Sequence, residues 1–223
     1  MDSNQVRREW AERTGEYSPE YYAYYGPDET SETIRGLLDR FVERDAAVLE
    51  LGCSSGRHLS HLHDHGYENL AGIEVNADAI DVMAEHYPDL AAEGAFYLDA
   101  IETVVGDFED GRFDVVYSVE TLQHLHPDVE WVFGELARIT GDLLVTVENE
   151  GMADSEGGDE VNDSDERGDE VNDSEGGDEV NYVDEGVPLY YRDWNRVFTD
   201  LGLVEVERSS TERDTIRAFR RPR

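Results

Sequence analysis

From residue 46 onward, short apolar runs alternate with stretches of helical spacing, and this alternation limits the folds that the chain can adopt. It is typical of βαβ units, in which consecutive strands lie parallel in one sheet. The runs that we interpret as strands are VLEL (48–51), NLAGIEV (69–75), AFYLD (95–99), FDVVYSV (113–119) and DLLVTV (142–147). Helices are predicted between them near 57–65, 77–86 and 128–140, the last one beginning at the N-cap-like pair Pro127 and Asp128.

The end of the chain has a different pattern. In 188–202, four apolar residues recur at helical spacing: Trp194, Val197, Phe198 and Leu201. The runs LVEVERS (203–209) and DTIRAFRR (214–221) then alternate like two strands joined by a polar turn around Glu212, which favours an antiparallel hairpin. We therefore predict an α/β fold with a mostly parallel seven-stranded sheet and a C-terminal antiparallel edge.

Residues 151–186 interrupt this pattern. They contain GDEVN three times, beginning at 158, 168 and 177, and 15 acidic residues against the single basic Arg167. A segment with so little apolar surface is predicted to be a disordered acidic insertion. An EF-hand is disfavoured, because Val161 stands where that loop requires a ligand. The predicted divisions are a helical cap (1–45), a core (46–150), the insertion (151–186) and a C-terminal helix and hairpin that complete the core (187–223).

The charge balance points to an environment rather than to an activity. The chain has 54 Asp plus Glu against 18 Lys plus Arg, a net charge of -36, and all of its basic residues are Arg. Salt screens such self-repulsion, so a halophilic cytoplasm is indicated. The charge disfavours nucleic-acid partners, although halophilic adaptation would make an RNA-binding surface acidic as well.

Three further features indicate a cytoplasmic protein without a membrane span. Cys53 is the single cysteine, which excludes an intrachain disulfide and fits a reducing compartment. No apolar run approaches the roughly 20 residues that cross a bilayer. The first residues, MDSNQVRREW, lack the apolar centre of a signal peptide.

The turn GCSSG (52–56) satisfies two incompatible motifs. As G-x-S-x-G it would be a nucleophile elbow with Ser54 as the attacking residue. That motif follows several strands and needs a His near the C-terminus, whereas only 47 residues precede Val48 and no His follows His126. As a glycine-rich turn between a strand and a helix, it would instead cradle a nucleotide cofactor.

The cofactor interpretation requires an acidic residue at the end of the next strand, about 20 residues on, and Glu74 is placed there. A nicotinamide cofactor is disfavoured, because Ser54 and Arg57 stand where the later glycines of G-x-G-x-x-G belong.

At these positions the chain resembles the class I S-adenosylmethionine-dependent methyltransferases. ELGCSSG is similar to the family's first motif, with Ser54 replacing the middle glycine. Glu74 and Asp99 match the acidic residues that follow strands two and three, and FDVVYSVETLQHLHP resembles the strand-four motif. The terminal hairpin resembles strands six and seven. The resemblance covers 46–148 and 188–221.

This resemblance implies a Rossmann-like three-layer sandwich that binds S-adenosyl-L-methionine and transfers its methyl group in line. Glu50 would hold the cofactor's amino group, Glu74 the ribose hydroxyls and Asp99 the adenine N6 amine. Asp99 could also cap a short helix at 100–105. The implied cofactor-binding residues are Glu50, Gly52, Cys53, Ser54, Gly56, Glu74, Val75, Asp99 and Ala100.

Candidates for the catalytic general base follow strand four, since ligands of open α/β sheets bind at the carboxyl ends of the strands. They are Glu120, His124 and His126. The alternative is that the two histidines cap or pad a loop ahead of Pro127.

Two other groups have competing interpretations. His58, His61, His63 and His65 invite a zinc site, but no Cys lies nearby and no ligand pattern appears, so a solvated helix face without metal is predicted. The tyrosines of YSPEYYAYYGP (17–27) either pack the leading helices or wall an acceptor pocket, because in similar enzymes this segment folds over the cofactor. Ser18 and Pro19 resemble the N-cap and first residue of a helix.

The leading hypothesis is a methyltransferase for a small-molecule acceptor. Protein or RNA acceptors stay open, and nucleic acid is the less favoured partner. A hypothesis of another class is a non-catalytic cofactor-binding or interaction module that uses the acidic segment. The glycine spacing and the terminal hairpin oppose an oxidoreductase.

Overall fold

The computed structural model describes residues 1–151, 180–182 and 187–222. Its helices are α1 (Ser3–Ala11), α2 (Pro19–Tyr25), α3 (Glu29–Phe41), α4 (Arg57–Asp64), α5 (Asp78–His86), α6 (Pro88–Glu93), α7 (Ile101–Val104), α8 (Trp131–Ile139) and α9 (Trp194–Asp200). Its strands are β1 (Val48–Leu51), β2 (Leu70–Glu74), β3 (Ala95–Leu98), β4 (Phe113–Val119), β5 (Thr140–Glu148), β6 (Val180–Tyr182), β7 (Pro188–Tyr190), β8 (Val204–Ser210) and β9 (Thr215–Arg220). Short 3₁₀ helices lie at Val105–Asp107, Leu122–His124 and Pro127–Val129.

Seven strands form one sheet in the order β3-β2-β1-β4-β5-β9-β8. The first five run parallel, whereas β9 lies antiparallel to both β5 and β8. The predicted fold class is therefore confirmed, including the antiparallel edge. The strand order reverses at β1, and this places the carboxyl ends of β1 and β4 side by side at the point where open α/β sheets bind ligands.

Each face of the sheet carries its own buried apolar cluster, which gives the three layers. On one face, α8 and α9 contribute Phe133, Leu136, Trp194 and Phe198. On the other, α3 and α4 contribute Ile34, Leu38, Leu59 and Leu62. Strands buried on both faces, such as β1, are apolar along nearly their whole length. The exception in β1 is Glu50.

The three leading helices begin at side-chain caps. The Asp2 carboxylate caps α1, the Ser18 side chain caps α2 with Pro19 at its first turn, and the Asp28 carboxylate caps α3. The expected roles of Ser18 and Pro19 are thus confirmed. The caps of α1 and α2 fix the start of the two helices that cover the carboxyl ends of the central strands.

The structure differs from the sequence-based expectations in several places. The helix expected at 128–140 begins at Trp131, because Pro127–Val129 forms a separate 3₁₀ turn. Strands β6 and β7 pair with each other in a second, two-stranded sheet that the pattern did not predict. The expectation of disorder over 151–186 is wrong at Val180–Tyr182, which forms β6; for 152–179 and 183–186 it lies outside the described residues.

Candidate active site

A cavity of about 160 Å³ lies over the carboxyl ends of β1, β2, β3 and β4 and is walled on its far side by α1 and α2. Eleven of the twelve residues expected at the site line it: Glu50, Gly52, Cys53, Ser54, Glu74, Val75, Asp99, Ala100, Glu120, His124 and His126. The exception is Gly56. A side chain there would meet Met83 and Leu90 of the apolar core, so this glycine serves the packing of the turn.

The GCSSG turn is held against the end of β2 by a carboxylate. Ser54 has a φ of 48°, a left-handed conformation that costs free energy for a residue with a side chain. Its N–H donates to Oε2 of Glu74 at 2.8 Å. Oε1 of Glu74 accepts from the N–H groups of Val75 and Asn76 at 2.7 and 2.8 Å. Glu74 therefore fixes both the turn and its own orientation.

Glu50 is the buried acid at the end of β1. Its side chain is 1% exposed and accepts a hydrogen bond of 2.9 Å from the Tyr117 hydroxyl on the neighbouring strand. Burial raises the pKa of Glu50 to about 8, because one hydroxyl does not replace the water that a carboxylate loses. Burial also raises the pKa of Glu74. Burial therefore favours the neutral form of the Glu50 carboxyl.

Asp99 lies at the rim of the cavity, immediately after β3. Its side chain is exposed, and Oδ1 accepts from the Ala100 N–H at 2.7 Å. The N-cap residue of α7 is Ala100 rather than Asp99, so the expected capping role is not the one observed. The second oxygen of Asp99 is available at the rim for a ligand's donor.

The loop after β4 brings Glu120 and His124 to the same cavity. Glu120 has a φ of 47°. The His124 ring packs against Trp10 of α1 with the ring centroids 4.6 Å apart, and its Nδ1 lies 3.3 Å from the Pro188 carbonyl oxygen. Burial lowers the pKa of His124 to about 4, so the imidazole is neutral at pH 7. Because a carbonyl only accepts, Nδ1 carries the proton and Nε2 keeps its lone pair.

His126 has a structural role that His124 lacks. Its Nδ1 accepts from the Asp128 N–H at 3.1 Å and so caps the 3₁₀ turn at Pro127–Val129. Its ring packs edge-on against Tyr190 with the centroids 5.6 Å apart. The capping alternative that the sequence left open thus describes His126, although the ring also borders the cavity.

Two buried charged residues that the sequence analysis did not single out hold this loop. Glu148, at the end of β5, accepts from the N–H groups of Thr121, Leu122 and Gln123 at 3.1–3.2 Å and from the Ser118 hydroxyl. Arg192 donates to the carbonyl oxygens of Leu122 and Leu125 at 3.4 and 2.7 Å. Glu148 therefore accepts hydrogen bonds from the backbone N–H groups of the loop, and Arg192 donates to its carbonyl oxygens. Both contacts join distant parts of the chain, and no local pattern signals them.

The outer wall comes from the leading helices. Trp10, Arg13, Tyr17 and Tyr22 line the cavity, while Tyr24 and Tyr25 are 82% and 62% exposed. The Trp10 Nε1 atom is buried, and no acceptor among the described residues reaches it. A buried donor at a cavity wall is a feature that a bound ligand would satisfy. Two of the five tyrosines of 17–27, Tyr17 and Tyr22, therefore border the cavity.

The histidines of α4 do not form a uniform solvated face, so that expectation is wrong for His58. Its side chain is 5% exposed, and its Nδ1 lies 2.7 Å from the Ser31 hydroxyl. Burial lowers the pKa of His58 to about 3. His61 and His63 contact surface carboxylates. Over the part of the chain that the structure describes, no group of three or more His, Cys, Asp or Glu side chains is arranged to hold a metal ion.

Comparison with known proteins relates part of this chain to a protein family. A methyltransferase domain family matches residues 48–142. The eEF1A lysine and N-terminal methyltransferase of Danio rerio is 30% identical over 114 residues, which cover 49% of this chain and 15% of that protein. Magnesium protoporphyrin IX methyltransferase of Synechocystis PCC 6803, solved with bound S-adenosylhomocysteine, superposes with a TM-score of 0.65 at 12% identity, over 99% of this chain and 100% of that one. Residues 48–142 thus match a methyltransferase domain, and the solved structure shares the fold of the chain.

The resemblance stated from the sequence is thereby confirmed over residues 48–142. The chain spans less than a third of the length of the curated relatives that it matches. The fold alone does not fix a reaction, since the cyclase SpnF also superposes with a TM-score of 0.63 at 11% identity, over 96% of this chain and 86% of that one. None of the helices that the structure describes is long and apolar enough to cross a membrane.

Proposed function

We propose that this chain transfers a methyl group from S-adenosylmethionine, in line, to a small-molecule acceptor in a halophilic cytoplasm. One observation carries the proposal: three adjacent parallel strands, β1, β2 and β3, each end at a carboxylate that borders one cavity. These carboxylates are Glu50, Glu74 and Asp99. They lie where open α/β sheets bind their ligands.

The residues present fit this cofactor. Oε1 of Glu74 already accepts two backbone N–H groups, whereas Oε2 accepts only that of Ser54 and keeps a lone pair that can receive a ribose hydroxyl. Asp99 offers an exposed oxygen to the adenine amine, and Glu50 faces the place for the amino group, whose positive charge would return its carboxyl to the ionised form. Trp10 adds an unsatisfied donor on the opposite wall.

When bound, S-adenosylmethionine supplies a methyl group on a positively charged sulfur. The protein's own task is then to align the acceptor, exclude water and receive its proton. His124 suits the last role best. Its Nδ1–H is directed to the Pro188 carbonyl oxygen, Trp10 covers its ring, and the neutral Nε2 can accept a proton from an acceptor in the cavity.

A small acceptor is favoured by the enclosure of the cavity between the sheet and helices α1 and α2. The acidic composition disfavours RNA, and a protein acceptor is the alternative, since the Danio rerio relative is named for methylating a protein. The net charge of -36 and the absence of Lys support the saline setting. Raising KCl to molar concentration should raise the unfolding midpoint of the protein, and a midpoint that falls would contradict this setting.

The acceptor class can be tested with labelled S-adenosylmethionine and a halophile cell extract, separated by filtration into small molecules and macromolecules. We expect label to enter the small-molecule fraction with the native protein and not with Glu74→Ala. Label confined to the macromolecular fraction would support a protein or RNA acceptor. A folded protein that binds the cofactor but labels neither fraction would support the second candidate, a non-catalytic module.

A further inference from the structure

The segment that follows α1 brings a buried positive charge to the wall of the cavity. Arg13 lines the cavity and is 8% exposed. Its backbone carbonyl accepts a hydrogen bond of 3.1 Å from Nδ2 of Asn76, beyond the end of β2, and its Nε–H donates to the Glu16 carbonyl oxygen at 2.9 Å. A guanidinium stays protonated in proteins and carries several N–H donors in one plane. Arg13 therefore holds a cationic group at the cavity wall.

The Arg13 guanidinium lies on the acceptor side of the cavity, close to the proposed base. Its Cζ atom is 5.6 Å from the ring centroids of both Trp10 and Tyr17. The Trp10 ring in turn packs against His124, with the centroids 4.6 Å apart. An arginine that stacks on aromatic faces keeps the edge of its planar fork for hydrogen bonds, and this edge matches the two oxygens of a carboxylate. The wall next to His124 thus has the chemistry of a carboxylate site.

The acidic side chains that line the cavity are engaged at other places. Those at the ends of β1, β2 and β3 face the cofactor in the proposed function. Glu102 is paired with Nη1 of Arg7 at 3.5 Å, and Glu120 lies 3.9 Å from Nη2 of Arg213. These two contacts compensate negative charge at the rim, which lowers the repulsion that an anionic ligand would meet beside Arg13.

An anion at Arg13 would also help His124 to act as a base. Burial, with Arg13 as a smaller contribution, lowers the pKa of His124 to about 4. A base that takes up a proton becomes a cation, and the charge of Arg13 opposes this change. A bound carboxylate offsets that charge, so the group that anchors an acceptor also favours the removal of the acceptor's proton.

We infer that the methyl acceptor is an organic acid whose carboxylate binds the Arg13 guanidinium, beside Trp10 and His124. The inference rests on the proposed function, because it names the acceptor class of that same site. The carboxylate binds in its ionised form, so no covalent bond changes in this step. The atom that receives the methyl group keeps its own lone pair. The cofactor's own carboxylate has the same chemistry, and the test distinguishes the two sources.

The first test compares benzoate with benzamide, two probes of nearly equal size that differ in charge. Each is titrated calorimetrically into the protein at about pH 7, where benzoate is ionised, with and without S-adenosylhomocysteine. The KCl concentration is the lowest at which thermal melts show a folded protein, because salt screens ion pairs. The variants are Arg13→Gln, which removes the charge, and Arg13→Lys, which keeps the charge without the planar fork. Arg8→Gln, at an exposed position of α1, is the matched control.

We expect benzoate to bind the native protein and Arg8→Gln at least about tenfold more tightly than benzamide does. This preference should fall to within about twofold in Arg13→Gln and be kept in part in Arg13→Lys, while the affinity for S-adenosylhomocysteine changes by less than about twofold. Equal binding of the two probes to the native protein, or binding of neither, would overturn the inference. So would a loss of S-adenosylhomocysteine affinity of about tenfold in folded Arg13→Gln, since Arg13 would then hold the cofactor's carboxylate.

A second measurement uses the native protein alone and the acceptor itself. The small-molecule fraction of the cell extract is diluted to low salt, passed over an anion exchanger and offered to the protein with labelled S-adenosylmethionine. We expect the flow-through to lose the labelling and the salt eluate to regain it; labelling that stays in the flow-through would contradict an organic acid. Absence of label from the whole extract would refute the proposed function, whereas the calorimetric comparison would still decide the carboxylate site.

Discussion

Replacing Glu148 by alanine should loosen the loop that carries Glu120 and His124. Glu148 is fully buried, and burial raises its pKa to about 7 in spite of four donors. Alanine would leave three backbone amides without their acceptor, and at least those of the buried Leu122 and Gln123 could not turn to water. At about 1–3 kcal/mol for each unsatisfied buried group, we expect a loss of roughly 3–5 kcal/mol in the free energy of unfolding.

Glu148→Gln separates the loss of hydrogen bonds from the loss of volume. Three of the four donors meet at Oε1, which the amide oxygen of glutamine can replace, and only the Gln123 N–H would then face an amide nitrogen. We expect a loss of about 1–2 kcal/mol for this variant. Affinity for S-adenosylhomocysteine should stay within about twofold in both variants, since the loop lies on the acceptor side of the cavity.

The assay is urea unfolding at pH 7 in molar KCl, followed by circular dichroism, with Glu85→Ala on the exposed side of α5 as the control. The order of stability should be native and control, then Gln, then Ala. The reasoning would be refuted if Glu148→Ala lay within about 1 kcal/mol of the native protein, or if glutamine cost as much as alanine.

Three further perturbations test other parts of the site. Burial raises the pKa of Glu50 to about 8, so its contribution to stability is complete below the ordinary value near 4.5 and is lost as pH rises towards 8. Between about pH 5 and pH 9 the urea midpoint of the native protein should fall relative to that of Glu50→Gln. Equal changes of the two midpoints with pH would contradict this. His124→Gln should lower kcat about 100-fold with the affinity for S-adenosylhomocysteine within about twofold, and an unchanged kcat would exclude His124 as the base. Gly52 has a φ of +66°, and a Cβ there would overlap the Thr121 side chain. Gly52→Ala should therefore weaken cofactor binding at least about tenfold, with partial recovery in a Gly52→Ala, Thr121→Gly double variant. Native affinity in Gly52→Ala would show that the turn adapts.

The fold could be read from the sequence because its strands are short, apolar and evenly spaced. Glu74 was expected from its place near the end of the second predicted strand, whereas the roles of Glu50 and Asp99 came from the resemblance to the methyltransferase family. Parallel strands bring all three residues to one edge of the sheet.

The remainder depends on contacts between distant segments. Glu148 gains its role from backbone N–H groups that lie 25–27 residues earlier in the chain. His58 was misassigned because helical angles place it beside an apolar face, and only the packing of α3 on α4 shows that Ser31 covers it. Strand β6 lies within the acidic segment and β7 follows it; each has three residues, which is too short for a periodic signal.

The most direct test of the account is titration of S-adenosylhomocysteine into the folded protein in molar KCl, with NAD as the competing cofactor class. Asp99→Ala changes an exposed side chain at the rim and Glu74→Ala a side chain proposed to bind the ribose, with Glu85→Ala as the control. The account predicts saturable binding, weakened at least about tenfold by Glu74→Ala and measurably by Asp99→Ala, and no response to NAD. No binding to the folded native protein, or equal affinity in Glu74→Ala, would contradict it.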